Sequence, residues 1–107
     1  SLSQREEIKA EAGRLGLLAD MRVTLRGHVQ SANVQEAACG IIRTLVYDAS
    51  NRTEAGRLGL LADVRTAMQA HRSSARVQEV ACGAVRYMTR NNAGNKNEAG
   101  RLGLLAD

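Results

Sequence analysis

Apolar residues recur at helical spacing along the chain, and the same pattern occurs twice. The first stripe and its counterpart consist of Leu15, Leu18, Met21 and Leu25, then Leu58, Leu61, Val64 and Met68. Steps of three and four residues place apolar side chains on one face of a helix. The spacing therefore predicts amphipathic helices over about residues 15–27 and 58–70, with these side chains in the core.

A second apolar stripe follows each of these helices and predicts a further amphipathic helix in each copy. Its members are Val34, Ala38, Ile41 or Ile42 and Leu45 in the first copy, and Val77, Ala81, Ala84 or Val85 and Met88 in the second. A polar loop separates the two helices of each copy, and Asn33 and Ser74 are candidate N-caps. Residues 48–53 and 91–97 have the composition of turns that lead into a short helical segment.

One decapeptide, EAGRLGLLAD, occurs three times, at residues 11–20, 54–63 and 98–107. Its copies are 43 and then 44 residues apart. A fixed period of this length is typical of proteins built from stacked helical units. Each unit presents an apolar stripe that it cannot bury alone, so we expect consecutive units to pack side by side around one continuous core.

The period divides the chain into four parts. We expect an N-terminal helix that acts as a cap (residues 1–10), two complete repeats (11–53 and 54–97) and a partial third repeat (98–107). Pro, Phe and Trp are absent, which favours uninterrupted helices packed through aliphatic side chains. The predicted fold class is all-α, and we expect the chain to be a segment of a longer repeat array or an engineered repeat fragment.

Two stretches of the second repeat resemble the armadillo repeat family, and the match extends over nearly the whole chain. Residues 51–61, NRTEAGRLGLL, are similar to the glycine corner that leads into the second helix of that family. Residues 77–86, VQEVACGAVR, are similar to the start of its third helix, and residues 11–18 and 34–43 repeat both features. The resemblance implies a right-handed α–α superhelix, an armadillo-type solenoid, with no enzymatic activity and a concave groove that binds extended peptides or protein surfaces.

The third helix lines the groove in armadillo proteins, so the resemblance implies a partner-binding strip on the corresponding helices. The expected strip residues are Glu36, Gly40, Arg43, Thr44, Tyr47, Glu79, Gly83, Arg86, Tyr87 and Arg90. Peptide-binding members carry a Trp where Gly40 and Gly83 stand here, and an Asn where Thr44 and Tyr87 stand. The missing asparagines argue against binding of nuclear-localisation peptides. We expect the two glycines to let a partner approach the centre of the strip.

The histidines and cysteines do not form a pattern typical of a reactive or metal-binding site. His28 and His71 recur at the predicted end of the second helix, where an imidazolium interacts favourably with the helix dipole. Zinc requires several converging ligands, and we expect Cys39 and Cys82 to be buried in the core. The carboxylates recur one per repeat and form no acidic pair suited to acid–base chemistry, and the glycine spacing is not that of a dinucleotide-binding loop. The sequence therefore predicts no catalytic residues, no cofactor and no metal.

The charge balance and the cysteines bear on partners and compartment. The 15 basic and 11 acidic residues give a net charge of +4, which suits an acidic protein surface and is weak support for nucleic acid binding. Packed helices lie roughly 10 Å apart, too far for a disulfide between the equivalent cysteines. Free thiols favour a reducing intracellular compartment, the cytoplasm or its cytoskeleton. No apolar run reaches the length of a membrane-spanning helix, so we expect no membrane partner.

The leading functional hypothesis is a non-enzymatic protein–protein interaction scaffold with a protein or peptide partner in the groove. One alternative is a self-assembling or engineered structural repeat fragment without an external ligand. Another is a nucleic-acid-binding helical repeat that uses Arg43, Arg86 and Arg90. The two ends of a repeat array carry complementary surfaces. We therefore also expect homo-oligomers in which copies associate head to tail or exchange terminal helices.

Overall fold

The computed structural model describes residues 2–105, which form seven helices and no strand. In chain order the helices are α1 (Leu2–Arg14), α2 (Leu17–Gly27), α3 (Ala32–Leu45), α4 (Ala49–Leu58), α5 (Leu60–Ala70), α6 (Ala75–Thr89) and α7 (Ala93–Arg101). The predicted all-α class is confirmed. Ser1, Ala106 and Asp107, at the ends of the predicted cap and of the predicted partial third repeat, lie outside the described residues.

A glycine in the left-handed conformation separates the first helix of each repeat from the second. Gly16, Gly59 and Gly103 have φ angles of 86°, 76° and 76°. A side chain disfavours this conformation, so the same glycine of each decapeptide turns the chain in the same way three times. The turn also delays the start of the second helix to Leu17 and Leu60, two residues later than the apolar stripe predicts.

The polar connectors begin helices, which corrects the prediction of turns over residues 48–53 and 91–97. The side chains of Asp48 and Asn92 accept backbone N–H bonds and cap α4 and α7. Polar residues at an N-cap satisfy donors that the first helical turn leaves free. The domain boundaries predicted after residues 10, 53 and 97 therefore fall inside α1, α4 and α7.

The third helices begin at serine caps. Ser31 Oγ accepts the N–H of Val34 at 3.2 Å, and Ser74 Oγ accepts the N–H of Val77 at 3.2 Å. The cap at Ser74 was predicted. The alternative cap at Asn33 is wrong, because this residue lies inside the first turn of α3.

A glutamine in the first turn of each third helix ties that helix to the preceding one. Gln35 Nε2 donates to the carbonyls of Leu25 and His28 at 3.2 and 2.8 Å, and Gln78 repeats the arrangement in the second copy. The carbonyls at the end of a helix have no partner within the helix. The glutamine supplies those partners and fixes the angle between the second and third helices.

An asparagine joins the first helices of successive repeats. Asn51 Nδ2 in α4 donates to the carbonyls of Lys9 in α1 and Leu45 in α3, at 3.0 and 2.9 Å. Gly13 makes room for this side chain, because a Cβ on Gly13 would lie 2.7 Å from Asn51 Cγ. The buried amide of Asn51 therefore connects three helices of two repeats.

The same contact recurs one period later. Asn95 Nδ2 in α7 donates to the carbonyls of Arg52 in α4 and Met88 in α6, at 2.9 and 2.8 Å. Asn95 lies over Gly56, where a Cβ would be 3.3 Å from Asn95 Cγ and closer still to its Oδ1. We refer to the pairs Asn51–Gly13 and Asn95–Gly56 as the asparagine contacts.

Equivalent helices of consecutive repeats lie next to each other. Helix α3 packs along α6, α2 contacts α5, and α4 contacts both α1 and α7. One aliphatic core runs between them. Its most enclosed members include Leu18, Leu25, Ile42, Leu60, Leu61, Val64, Val77 and Met88. Consecutive units therefore pack side by side.

Leu15 is not a core residue, so its predicted place in the apolar stripe is wrong. Its side chain is 76% exposed, whereas Leu58, at the same position of the next repeat, is 5% exposed. Leu58 ends α4, which packs against α2 of the preceding repeat. Within residues 2–105 no helix precedes α1 to cover Leu15 in the same way.

The asparagine contacts predict opposite effects for the same substitution at two equivalent glycines. Gly56→Ala should lower the free energy of unfolding by about 1–3 kcal/mol, because its Cβ collides with Asn95. Gly100 occupies the same position in α7, and a Cβ there would have no atom within 4 Å. Gly100→Ala should therefore leave stability unchanged or raise it by up to about 1 kcal/mol. Urea unfolding followed by circular dichroism measures both, and equal effects would contradict the role of the contact.

Candidate functional site

The ten residues of the predicted strip lie on two helices that are neighbours in the structure. Four of them belong to α3 and four to α6, while Tyr47 and Arg90 lie just beyond the ends of these helices. Because α3 packs along α6, the strip is assembled from both repeats. It has a mixed-charge end near the helix N-termini and an aromatic end near the C-termini.

An open depression of about 550 Å³ lies between α3 and α6 at the mixed-charge end. Its charged lining consists of Glu36 and Arg43 from α3 and of Arg76 and Glu79 from α6. Asn33, Ala37, Gly40 and Val80 form the rest. This end of the strip therefore offers partners to both acidic and basic groups.

The two glycines of the strip have different surroundings. A Cβ on Gly83 would lie 2.7 Å from Cδ of Arg43, so the Arg43 side chain fills the space that the glycine leaves. A Cβ on Gly40 would make an ordinary contact with Val80, 3.5 Å from its Cγ2. The expectation that both glycines admit a partner is therefore wrong at Gly83, because a side chain of the same molecule lies there.

Two stacked tyrosines form the aromatic end of the strip. The ring centroids of Tyr47 and Tyr87 are 4.4 Å apart, with 32° between the ring planes. The ammonium of Lys9, from α1, lies 4.4 Å from the centroid of Tyr47, and the guanidinium of Arg86 lies 5.8 Å from that of Tyr87. Cations in such positions are attracted by the ring face. Sequence reasoning missed Lys9, because it reaches the strip from α1, outside the two helices that were expected to form the strip.

Positive charge accumulates around the tyrosines. Within residues 2–105, Arg43, Arg86 and Arg90 form no ion pair. The arginines of the decapeptide behave differently, since each pairs with the glutamate three residues before it, as in Arg57 and Glu54 at 2.7 Å. Arginines elsewhere in this part of the chain, such as Arg22 and Arg65, also lack an ion pair, so what distinguishes the strip is that three such arginines gather at one pair of aromatic rings.

The two tyrosine side chains shift each other's pKa in opposite directions. The interaction with Tyr47 lowers the pKa of Tyr87 below its ordinary value, and the charges of Arg86, Arg90 and Arg43 lower it further. The interaction with Tyr87 raises the pKa of Tyr47.

The two cysteines differ in exposure, and both are free. Cys39 is buried between the repeats, and burial raises the pKa of its thiol to about 12. Cys82 is exposed, so its predicted burial is wrong. It occupies the same position in α6 that Cys39 occupies in α3, but α6 covers that side of α3, whereas no third-helix counterpart within residues 2–105 covers α6.

The histidines serve helix ends and contacts between repeats. His28 and His71 are the C-cap residues of α2 and α5. His71 Nε2 lies 2.7 Å from the carbonyl oxygen of Val29 in the preceding repeat. Among the described residues, no three His, Cys, Asp or Glu side chains come together as metal ligands would.

Comparisons of the chain with models of known protein families, with curated proteins and with solved structures find no match. In the described part of the chain, none of the helices has the length and apolar character needed to cross a membrane.

The opposite pKa shifts of the two tyrosines predict two separate titrations. As the pH rises, Tyr87 should ionise below and Tyr47 above the ordinary tyrosine pKa. Tyr47→Phe removes one hydroxyl of the pair and should raise the pKa of Tyr87, while Tyr87→Phe should lower that of Tyr47. Absorbance titration of tyrosinate in the two variants measures each residue alone. Coincident titration of both tyrosines in the unmodified chain would contradict the interaction between them.

The exposure difference predicts one fast and one slow thiol. At low protein concentration, an aromatic disulfide reagent should react quickly with Cys82, and with Cys39 only as the chain unfolds, because a buried thiol with a pKa of about 12 forms almost no thiolate. Cys82→Ser should abolish the fast reaction and Cys39→Ser should leave it unchanged. A fast phase that persists in Cys82→Ser would show that the burial of Cys39 is wrong.

Proposed function

We propose that the chain is a non-enzymatic protein-interaction module of the armadillo type, whose three-helix units form a right-handed superhelix. In this proposal the strip on α3 and α6 binds a segment of a partner protein. Three features support it. A left-handed glycine separates the first and second helices, equivalent helices of successive repeats are neighbours, and the third helices lie side by side.

The cluster of cations around the stacked tyrosines is the observation that carries the proposal. Arg43, Arg86 and Arg90 keep their charge unpaired, and the rings between them supply flat apolar area. Tyrosine and arginine are the residues that most often dominate binding energy at protein interfaces. A partner segment with carboxylates beside an aromatic or aliphatic side chain complements this end of the strip.

The spacing of the two ends sets the length of the partner segment. Glu36 lies eleven residues before Tyr47, about 16 Å along a helix at 1.5 Å per residue. An extended chain covers this distance in about five residues. The preferred partner is therefore a short extended segment with acidic residues at one end and, about five residues away, a basic residue facing Glu36 and Glu79.

Nucleic acid is the second candidate, and the same arginines favour it. A phosphate backbone presents regularly spaced negative charge, and binding to it weakens steeply with salt. The carboxylates of Glu36 and Glu79 at the other end of the strip would repel such a backbone. A protein segment of mixed charge fits both ends and is the better match.

The proposed function belongs in a reducing intracellular compartment. Both cysteines are free, and Cys82 is exposed. Exposed thiols are retained where glutathione keeps them reduced and are oxidised or paired elsewhere.

Selection from a phage-displayed library of random heptapeptides tests the proposal. Selected peptides should be enriched in Asp and Glu near an aromatic or aliphatic residue. Their affinity, measured by fluorescence anisotropy, should fall about tenfold or more in a variant with Tyr47→Ala and Arg86→Ala, as expected for the loss of interface hot spots. Arg57→Ala is the matched control, because Arg57 pairs with Glu54 away from the strip.

The same assay with a single-stranded oligonucleotide separates the two candidates. A peptide that binds at physiological salt, together with an oligonucleotide that binds only at low salt, supports the protein partner. Tighter oligonucleotide binding with a steep salt dependence would favour nucleic acid instead. Failure to select any peptide, or an equal loss of affinity in Arg57→Ala, would contradict the assignment of the strip.

A further inference from the structure

The N-terminal end of the molecule exposes side chains whose counterparts in the second repeat are buried. Here a counterpart is the residue at the same position of the other repeat. We call this surface the front face. Its clearest members are Ile8, Leu15 and Ile41, which are 65%, 76% and 38% exposed, with counterparts Asn51, Leu58 and Ala84 at 3%, 5% and 0%. The front face is therefore equivalent to the surface by which the second repeat packs against the first.

The other end of the molecule exposes a surface equivalent to the one by which the first repeat packs against the second, which we call the back face. Cys82 in α6 is exposed, whereas its counterpart Cys39 is completely buried against the second repeat. An open apolar depression of about 270 Å³ lies beside Cys82 and is lined by Met68, Val85 and Leu105 among others. The surface complementary to each exposed face is thus present at the other end of the same chain.

Three polar contacts between the repeats also have counterparts at the two ends, whereas the ion pair of Arg26 and Asp63 has none, because Gln69 and Asp20 stand at the corresponding positions. In the molecule, Arg22 donates to the carbonyl of Leu58 at 3.5 Å, His71 contacts the carbonyl of Val29 at 2.7 Å, and Arg43 crosses Gly83. The corresponding pairs, split between back face and front face, are Arg65 with the Leu15 carbonyl, His28 with the Arg72 carbonyl, and Arg86 with Gly40.

We propose that copies of this chain associate head to tail, with the front face of one copy docked on the back face of another. Helices α1, α2 and α3 of the second copy then follow α4, α5 and α6 of the first, as α4, α5 and α6 follow α1, α2 and α3 within one molecule. Such contacts join unlike surfaces, so the assembly grows as a line of copies and does not close at two. The proposal does not depend on the function proposed for the strip.

Docking requires an exchange, because part of the first copy already lies at its own back face. Residues 98–105 occupy the position that residues 11–18 of the arriving copy would take, and both segments read EAGRLGLL. The decapeptide is therefore replaced by an identical sequence. The two segments differ three residues earlier, where α7 has Asn95 and α1 has Ile8.

Because of this difference, Asn95 opposes assembly. Its amide donates to the carbonyls of Arg52 and Met88, and these two bonds are lost when α1 of another copy displaces α7. Ile8 has no donor to replace them. The exchange therefore proceeds only at high protein concentration, where the free energy gained by burying both faces exceeds the cost of losing these two hydrogen bonds.

Sedimentation velocity and Cys82 reactivity, measured over a concentration series, test the proposal. The mass should rise with concentration while the fast thiol reaction of Cys82 disappears. Ile8→Asn supplies the missing amide to the arriving helix and should tighten association about tenfold, as two added hydrogen bonds would. Leu15→Glu and Ile41→Glu charge the front face at exposed positions and should each keep the chain monomeric.

Val23→Glu is the matched control for these charged variants. Val23 is 69% exposed, and its counterpart Thr66 is exposed as well, so this position lies outside the interface. Val23→Glu should assemble like the unmodified chain, and circular dichroism should show the same helix content in all variants. Assembly of Ile41→Glu equal to that of Val23→Glu would overturn the proposal.

Other modes of association give different results and would also overturn it. Pairing of two front faces raises the mass and leaves Cys82 reactive. Pairing of two back faces protects Cys82 and is insensitive to Leu15→Glu and Ile41→Glu. A chain that remains monomeric at the highest attainable concentration, both unmodified and as Ile8→Asn, excludes head-to-tail exchange altogether.

Discussion

The buried amide of an asparagine, laid across a glycine of the preceding repeat, is the contact on which the arrangement of this chain depends. Asn51 and Asn95 each donate two hydrogen bonds to carbonyls of two other helices. A buried polar group is tolerated only when it is satisfied, so each amide accepts one relative placement of three helices. Burial of aliphatic side chains favours stacking of the repeats, but it is non-directional. The amide fixes how far one repeat is shifted against the next, and hence brings α3 beside α6.

Helices with an apolar stripe were predictable from the sequence, whereas of the helices without one only the N-terminal helix and a short segment before each glycine corner were predicted. The second and third helices of each repeat follow the spacing of three and four residues, and their positions agree with the prediction to within a few residues. Helices α4 and α7 begin in polar sequence that resembles a turn. Their N-caps are the polar residues Asp48 and Asn92, and each of the two helices buries an asparagine and not an apolar residue. These asparagines are tolerated in the interior because their amides donate to carbonyls of other helices. The recurrence of an asparagine three residues before EAG was the available signal.

Burial at the ends of the molecule, and part of the strip, could not be deduced from local sequence. Leu15 and Leu58 lie in identical decapeptides, and Cys39 and Cys82 at equivalent positions of similar helices, yet one member of each pair is buried and the other exposed. Whether a neighbouring repeat covers the side chain determines its burial, and the local sequence around the side chain does not specify that neighbour. The side-by-side placement of the strip residues follows from the period. Two features of the strip depend on contacts between distant parts of the chain. The side chain of Arg43 occupies the space beside Gly83, and Lys9 reaches the strip from α1.

The threefold use of one glycine corner has a consequence for folding fidelity. The three decapeptides have the same sequence and the same glycine turn, so each can pack in the place that another occupies in the native structure. Mispaired intermediates of this kind are a known hazard of repeat proteins. Two properties select the native pairing: the short connections within each repeat, which favour nearby partners over remote ones, and the isoleucine that stands where the later copies have asparagine. A single unlike residue in the first copy therefore acts as a marker of chain order that distinguishes this copy from the two that follow it.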